Sequence, residues 1–242
     1  MYRIQKVLSR LGIVSRRECE ALILQRKIKI NNQIAILGAK INVNDTVSVN
    51  GKLYKINQKF FDIEIRVIAY NKPLGEVVTL KDTHKRKTVF DNLPKIDSKW
   101  INVGRLDINT SGLLLFTNEG ELAHRLMHPS YGNIRTYHVK VFGKIDNKKL
   151  LKAKRGISIG HNEKGYFLAA RKLNSDNNFF EITLNRGKYR EVRRIFNSLG
   201  NKVEELKRVK YSVISLNSLK SGKYRELNKK EIKMLLKEVK YI

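Results

Sequence analysis

The spacing of hydrophobic residues changes period along the chain and divides it into two parts. Ile4, Val7, Leu8 and Leu11 recur at helical spacing with Arg3, Lys6 and Arg10 opposite them, which predicts an amphipathic helix stopped by Gly12. Ser15 and Glu18 form a capping box for a second helix that carries Cys19, Leu22 and Ile23. From Lys27 the pattern becomes short and alternating, through Ile28 and Ile30, Ala39 to Val43, and Val47 and Val49, and ends at Asn50-Gly51. These are small strands and a turn.

A second series begins with Ile63, Ile65, Val67 and Ala69, alternating as a half-buried strand that runs into Tyr70-Asn71-Lys72-Pro73-Leu74-Gly75. The Lys-Pro-x-Gly stretch reads as strand-end turn chemistry, without a catalytic residue. Thr79 to Lys99, with Lys81, Lys85, Arg86 and Lys87 and few apolar residues, reads as a flexible basic loop able to contact phosphates. The apolar run Leu113 to Phe116, bounded by Gly112 and Asn118, is too short for a helix and predicts an interior strand. A short helix through Leu122, Ala123, Leu126 and Met127 ends at Pro129, and Tyr137, Val139 and Val141 mark another strand. A basic helix from Asp146 to Lys154 precedes strands at Gly156 to Ile159, Tyr166 to Leu173 and Phe179 to Leu184. Val192, Ile195, Phe196 and Leu199 form one apolar helix face closed by Gly200; a long strand from Val203 to Leu216 and a helix from Lys229 to Val239 follow. Helices alternating irregularly with antiparallel strands make an α+β fold.

Charge narrows the function. Fifty Lys and Arg against 22 Asp and Glu give a formal charge of +28, and the pI is near 10.2, so the expected partner is a polyanion. Residues 1–59 hold 12 Lys and Arg against 3 acids, so both parts are basic enough to share one nucleic acid. No lipid anchor, spanning-length apolar run or secretory signal accompanies the charge, which points away from a membrane and towards the cytoplasm. The single Cys19 excludes an internal disulfide. Arg16 and Arg17 fall in the first turn of the second helix, where positive charge opposes the helix dipole; a ligand that uses them and a solvated basic face are equally good accounts.

Asp107 is the candidate reactive group. It stands at a turn leading into the interior strand, where Thr110, Ser111 and turn amides can donate to its carboxylate and Arg105 can offset its charge. A plain Asx-turn is the alternative. His124 and His128 have metal-ligand spacing, but Arg125 replaces the glutamate of a zinc-hydrolase helix and no third ligand stands out, so no metal is expected. No second carboxylate at glycosidase spacing is evident, which argues against ordinary glycoside hydrolysis.

Gly104-Arg105-Leu106-Asp107 followed by Thr110-Ser111-Gly112-Leu113-Leu114-Leu115 resembles the active-site motif of RNA pseudouridine synthases, in the branch named for RsuA and RluB. The resemblance continues through Asn118 to Ala123, Leu126-Met127-His128-Pro129-Ser130 and Tyr137 to Gly143, where it is nearest to the large-subunit enzyme of that branch. Gly187-Lys188-Tyr189-Arg190-Glu191-Val192-Arg193-Arg194 resembles the family's third block. Leu11 to Glu20 with the small sheet after it is similar to an S4-type RNA-binding domain. The departures are Arg26-Lys27 where a glycine is usual, Asn31-Asn32 in place of Asn-Gly, Asn185 in place of an acid or threonine, and Ser212 in place of a glycine.

The resemblance implies an S4-type domain over residues 1–59 and a catalytic domain over 60–242 with a bent, largely antiparallel sheet crossed by a cleft. It implies conversion of uridine to pseudouridine in ribosomal RNA, most closely 23S RNA of the large subunit, by a monomer that needs no cofactor or metal. In that scheme Asp107 is the essential carboxylate, as nucleophile or as the base that takes a ribose proton. Arg193 pairs with it and Tyr137 stacks on the uracil. Arg105 fills the gap left by a flipped nucleotide, Arg190 and Arg194 bind RNA, and Arg3, Lys6, Arg10, Arg16 and Arg17 clamp it. A non-catalytic RNA-binding or ribosome-assembly factor, and a related enzyme of small-subunit 16S RNA, remain as alternatives.

Overall fold

The computed structural model describes residues 1–58, 64–96, 98–173 and 178–242, which fall into two compact units. The expected boundary at residues 59 and 60, and Ile63 of the expected strand, lie outside the described residues.

The first unit comprises Met1–Ile65 with Lys95–Trp100 and Asn118–Gly120. It contains β1 (Tyr2–Arg3), α1 (Ile4–Arg10), α2 (Arg16–Leu24), β2 (Ile28–Ile30), β3 (Gln33–Ile34), β4 (Lys40–Ile41), β5 (Thr46–Val49) and β6 (Lys52–Lys55). The capping box that starts α2 is formed: the Glu18 amide donates to Ser15 Oγ and the Ser15 amide to Glu18 Oε2, both at 3.2 Å. One antiparallel sheet runs β3-β2-β5-β6, and β1 pairs with β4. The core joins Ile4, Val7 and Leu8 of α1, Cys19 and Ile23 of α2, and Ile28, Ile41, Val47 and Ile56 of the strands. Burial pushes the Cys19 thiol up to about 11, so it packs as a small apolar group. Asn31 and Asn32 both take positive φ, 47° and 67°, between β2 and β3, the conformation of a two-residue hairpin turn. Asn31 also donates to Asp45 Oδ1 and accepts from the Thr46 amide, both at 2.9 Å, so the loss of a glycine there is compensated.

The second unit comprises Arg66–Pro94, Ile101–Thr117 and Glu121–Ile242. Its strands are β7 (Val67–Lys72), β8 (Ile101–Val103), β9 (Ser111–Thr117), β10 (Arg135–Phe142), β11 (Ile157–Ser158), β12 (Lys164–Gly165), β13 (Ala169–Lys172), β14 (Phe179–Leu184), β15 (Lys202–Tyr211), β16 (Ile214–Ser215) and β17 (Tyr224–Glu226). Its helices are α3 (Gly120–Met127), α4 (Asn147–Arg155), α5 (Glu191–Ser198) and α6 (Lys229–Glu238). The main sheet runs β13-β14-β10-β15-β9-β7-β17, with β8 on β9 and β16 on β15. Every pair is antiparallel except β15 with β9. β9 lies between β7 and β15 and is buried from Gly112 to Thr117, which is why its sequence is a continuous apolar run. A core of Val139, Phe167, Phe180, Ile182, Ile195, Phe196 and Leu206 packs α5 on one side of the sheet.

Two expectations need correction. The long strand from Val203 to Leu216 breaks at Ser212, which takes φ of 52° and turns β15 back into β16; Asn, Asp, Ser or Gly is suited to such a position. The segment Thr79 to Lys99 is not an unstructured loop. Val77 bridges Thr88, a 3-10 turn covers Val89–Asn92, and Asp82 accepts from the amides of His84 (3.2 Å) and Arg86 (2.8 Å) and from the Arg86 guanidinium (2.7 Å). Those hydrogen bonds from Arg86 hold the Asp82 carboxyl down to about 2. Charge patterning alone hides this because an internal acid collects the turn's donors.

One close approach fixes the centre of the sheet. Gly112 has φ of 101° and pairs in parallel register with Arg208, whose carbonyl oxygen would lie 2.2 Å from a Cβ at position 112. Only glycine lets the two backbones meet this way.

Candidate active site

Asp107 sits in the turn that carries the chain from β8 into β9. The Thr110 amide closes that turn on the Asp107 carbonyl at 3.0 Å, and the Gly75 amide ties Ile108 to the end of β7 at 2.9 Å. Lys72, the last residue of β7, is fully buried, and its ammonium donates to the carbonyls of Thr110 (2.9 Å) and Pro73 (2.8 Å). Burial pushes this amine down to about 8, while Glu76 and Asp107 pull the other way. Lys72 therefore fastens the Asp107 turn to the sheet from below. Sequence reasoning missed this, because a lysine between asparagine and proline reads as a surface turn residue.

Near Lys72 lies a buried acid, Glu76. Glu76 accepts from Tyr70 Oη at 2.6 Å and from Asn92 Nδ2 at 2.9 Å, and Lys87 pairs with it at 3.3 Å. Burial, then the bond to Glu76, raises the Tyr70 phenol well above its ordinary range.

The Asp107 carboxylate is 34% exposed and opens into a cleft of about 860 Å³. Its ion-pair partner is Arg190 Nη1 at 3.7 Å. This corrects the expected pairing with Arg193. Arg190 precedes α5 in a left-handed conformation, φ 48°, so its side chain leaves the chain in a direction that helical periodicity does not describe. Arg193 instead donates to the carbonyls of Asn109 (2.6 Å) and Val203 (3.1 Å), joining the Asp107 turn to β15. Its charge still feels Asp107: burial and Arg190 push its proton affinity down and Asp107 opposes them. The expected donation from the Thr110 hydroxyl is absent, since Thr110 Oγ1 is buried without a hydrogen-bond partner. A half-exposed carboxylate keeps water on its open side and needs fewer internal donors.

Tyr137 lies half-buried on β10 and lines the same cleft, opposite Arg208 on β15 and Ile182 on β14. A register shift between Thr136 and Tyr137 re-aims the strand at this point, as bulges beside active sites do. Arg105 is exposed at the cleft and Arg190 is 39% exposed, so both have free surface for a ligand. Arg194 does not. Its guanidinium binds Glu163 at 2.6 Å and the carbonyls of Ile159 (2.8 Å) and Gly160 (2.9 Å).

The floor of the cleft holds Arg208, which the sequence did not single out, and Arg135, two residues before Tyr137. Arg208 is 2% exposed, donates Nε to the Leu113 carbonyl at 2.7 Å and lies over the Tyr211 ring at 4.9 Å. Arg135 lies over the same ring at 5.1 Å and donates to Tyr211 Oη at 3.2 Å, while that hydroxyl donates to the Leu126 carbonyl at 2.8 Å. An aromatic ring between two cations fixes both guanidinium planes.

In the first unit Arg3, Arg16 and Arg17 are exposed and Lys6 half-buried, consistent with a basic face. Arg10, expected in the same face, forms an ion pair with Glu119 at 2.9 Å. His124 and His128 lie with ring centroids 5.2 Å apart on and after α3, and His128 Nδ1 is engaged by Ser130 Oγ at 2.7 Å.

The buried amine makes a testable prediction. Because Lys72 has a lower affinity for its proton in the fold, about 8, than in the unfolded chain, 10.5, the unfolded state binds more protons between those values. The contribution of this group to stability therefore rises as pH rises through that window. Melting temperatures of wild type and Lys72→Met measured from pH 7 to 10 should shift in favour of wild type as pH increases. A difference between the two proteins that stays flat across this range would show that the amine does not titrate there, and a shift towards the variant would show that its affinity for the proton is raised in the fold.

A model of the RNA pseudouridylate synthase family matches residues 66–198, and one of the S4 domain matches residues 3–47. Ribosomal large subunit pseudouridine synthase B of Vibrio cholerae is 42% identical over 96% of this chain and 74% of its own length. The protein of the same name in Buchnera aphidicola is 39% identical over 98% of each. In Pseudomonas aeruginosa the corresponding protein is 40% identical over 98% of this chain, which spans 62% of that relative's length. A crystal structure described as a pseudouridylate synthase has a TM-score of 0.67 and 27% identity, over 97% of this chain and 100% of its own.

Proposed function

The chain belongs to the RNA pseudouridylate synthase family, and from that membership we propose that it converts one uridine of large-subunit 23S rRNA to pseudouridine, acting as a cytoplasmic monomer without cofactor or metal. The observation that carries this reading is the Asp107 carboxylate, held by a turn that Lys72 and Arg193 fasten to the sheet and open to a cleft that Tyr137 and Arg190 share.

The reaction is an isomerisation. The bond between uracil N1 and ribose C1′ breaks, the base turns within the pocket, and C5 bonds to C1′; C5 gives up its proton and N1 ends protonated. Atoms and electrons balance without a redox partner. A base stacked in RNA must first leave the stack, and a cleft of about 860 Å³ is large enough to receive a nucleotide. Tyr137 offers a face for the flipped uracil, and Arg105 is placed to enter the vacated space. Asp107 acts on the ribose, by attack at C1′ or by removing the C2′ proton. Arg190 offsets its charge, and Arg193 and Lys72 act as positioning residues through the Asn109 and Thr110 carbonyls. Arg3, Lys6, Arg16 and Arg17 supply phosphate contacts from the S4 domain.

Among the described residues no helix is long and apolar enough to cross a membrane. Separate large- and small-subunit rRNA transcripts offered to the purified protein should give pseudouridine at one position of the large-subunit RNA. Product confined to the small-subunit RNA would overturn the target, and product in neither RNA would overturn the reaction.

A further inference from the structure

A basic hollow lies in the second unit, at the end of the sheet that carries Asp107, and the chemistry above does not use it. The segment after β16 folds through two tight turns, with the Leu219 amide on the Leu216 carbonyl at 3.3 Å and the Lys223 amide on the Lys220 carbonyl at 3.1 Å. Asn217, at φ of 48°, and Gly222, at 73°, bend it into a concave surface. The hollow measures about 380 Å³ and is lined by Asn217, Ser218, Lys220, Lys223 and Arg225 with two leucines; no acid lines it. Arg225 is held by both oxygens of Glu231, at 2.9 and 2.7 Å, whereas Lys220 and Lys223 have no ion-pair partner among the described residues. Two uncompensated ammonium groups around a concave turn form an anion site.

Its position says which anion. One end of the segment is anchored on β15, where the Leu216 amide donates to the Val209 carbonyl at 2.8 Å, one residue from Arg208 on the cleft floor. The other end is anchored on β7 through Asn71: its side chain donates to the Leu219 carbonyl at 2.7 Å, its amide to the Lys223 carbonyl at 3.0 Å, and its carbonyl accepts from Gly222 at 2.8 Å. The next residue is Lys72, which holds the Asp107 turn. The hollow and the turn that carries the reactive carboxylate are thus fixed to consecutive residues of one strand.

We propose that the Asn217–Arg225 hollow is a phosphodiester-binding subsite that grips the backbone of the substrate RNA beside the flipped uridine. The proposal rests on the reading of the cleft as an RNA uridine site. The hollow supplies register, because lysine reads the charge of the phosphate backbone.

The test is the salt dependence of binding to a stem-loop RNA that wild type converts. In Lys220→Gln/Lys223→Gln the slope of log affinity against log salt should become shallower by about 0.7 to 0.9 for each phosphate released, with affinity at low salt about tenfold weaker. Lys220→Arg/Lys223→Arg should restore both. RNAs carrying one uncharged methylphosphonate at successive linkages give a second readout: one linkage near the target should weaken binding to wild type and have no effect on the glutamine variant. An unchanged slope, or a glutamine variant as sensitive as wild type to every linkage, would overturn the subsite and leave the reaction standing. Failure of wild type to make pseudouridine in any rRNA would instead bring down the reading of the cleft.

Discussion

Asp107→Asn should abolish pseudouridine formation while leaving the protein folded. The substitution keeps shape and removes the charge and basicity on which either chemical role of the carboxylate depends. The side chain is 34% exposed and its ion pair with Arg190 is 3.7 Å long and open to solvent, so losing that pair costs the fold about 0 to 1 kcal/mol. The loss in rate is of another order, at least ~10⁴-fold where a group acts directly on the reacting bond. Single-turnover assays with enzyme in excess over RNA separate the two effects, and circular dichroism melts check the fold. Product formation within tenfold of the wild-type rate would remove Asp107 from the chemistry.

The second large effect is on stability. Gly112→Ala places a methyl group 2.2 Å from the Arg208 carbonyl oxygen and 2.7 Å from its nitrogen, both backbone atoms that cannot turn aside, at φ of 101°. Overpacking and a left-handed non-glycine residue each cost roughly 1 to 3 kcal/mol, so the sum is about 2 to 6 kcal/mol. For a domain of this size that lowers the melting temperature by roughly 5 to 20 °C. Gly200→Ala is the control, since that glycine has φ of 76° with no heavy atom within 4 Å of its added methyl, and it should lose about 1 kcal/mol. Similar melting temperatures for the two variants would show that β9 and β15 can separate freely at Gly112. Because Arg208 also holds the Leu113 carbonyl, whatever of Gly112→Ala folds should carry a displaced Asp107 turn and little activity.

Much of this was legible in the sequence where local chemistry decides the outcome. The Ser15 capping box, the Asn31-Asn32 hairpin and the apolar run of β9 formed as their residues require. So did the apolar face of α5, because a single element determines each of these. The fold class, an S4 domain followed by a mixed, mostly antiparallel sheet, was legible through the resemblance carried by Leu11 to Glu20 and Gly104 to Leu115. What was not legible depends on which elements meet. The choice between Arg190 and Arg193 turns on a left-handed residue before a helix, and the burial of Lys72 depends on β9 closing over the end of β7. Arg194 and Arg10 looked like free cations until Glu163 and Glu119 were placed beside them.

The pairing of β9 with β15 also has a consequence in time. Ser111 and Gly112 meet Lys207 and Arg208, and Ile68 to Tyr70 meet Tyr224 to Glu226, so the middle of the sheet is completed by strands that leave the ribosome late. Contacts between residues so distant in sequence are slow to form, since a long loop must close before they give anything back. The Asp107 turn, which borrows its lower support from β7 and its flank from Arg193 and Arg208, has no fixed shape in a nascent chain that stops short of β15. During synthesis the S4 domain can fold first, while the turn around Asp107 takes its final shape only when the last third of the protein has emerged.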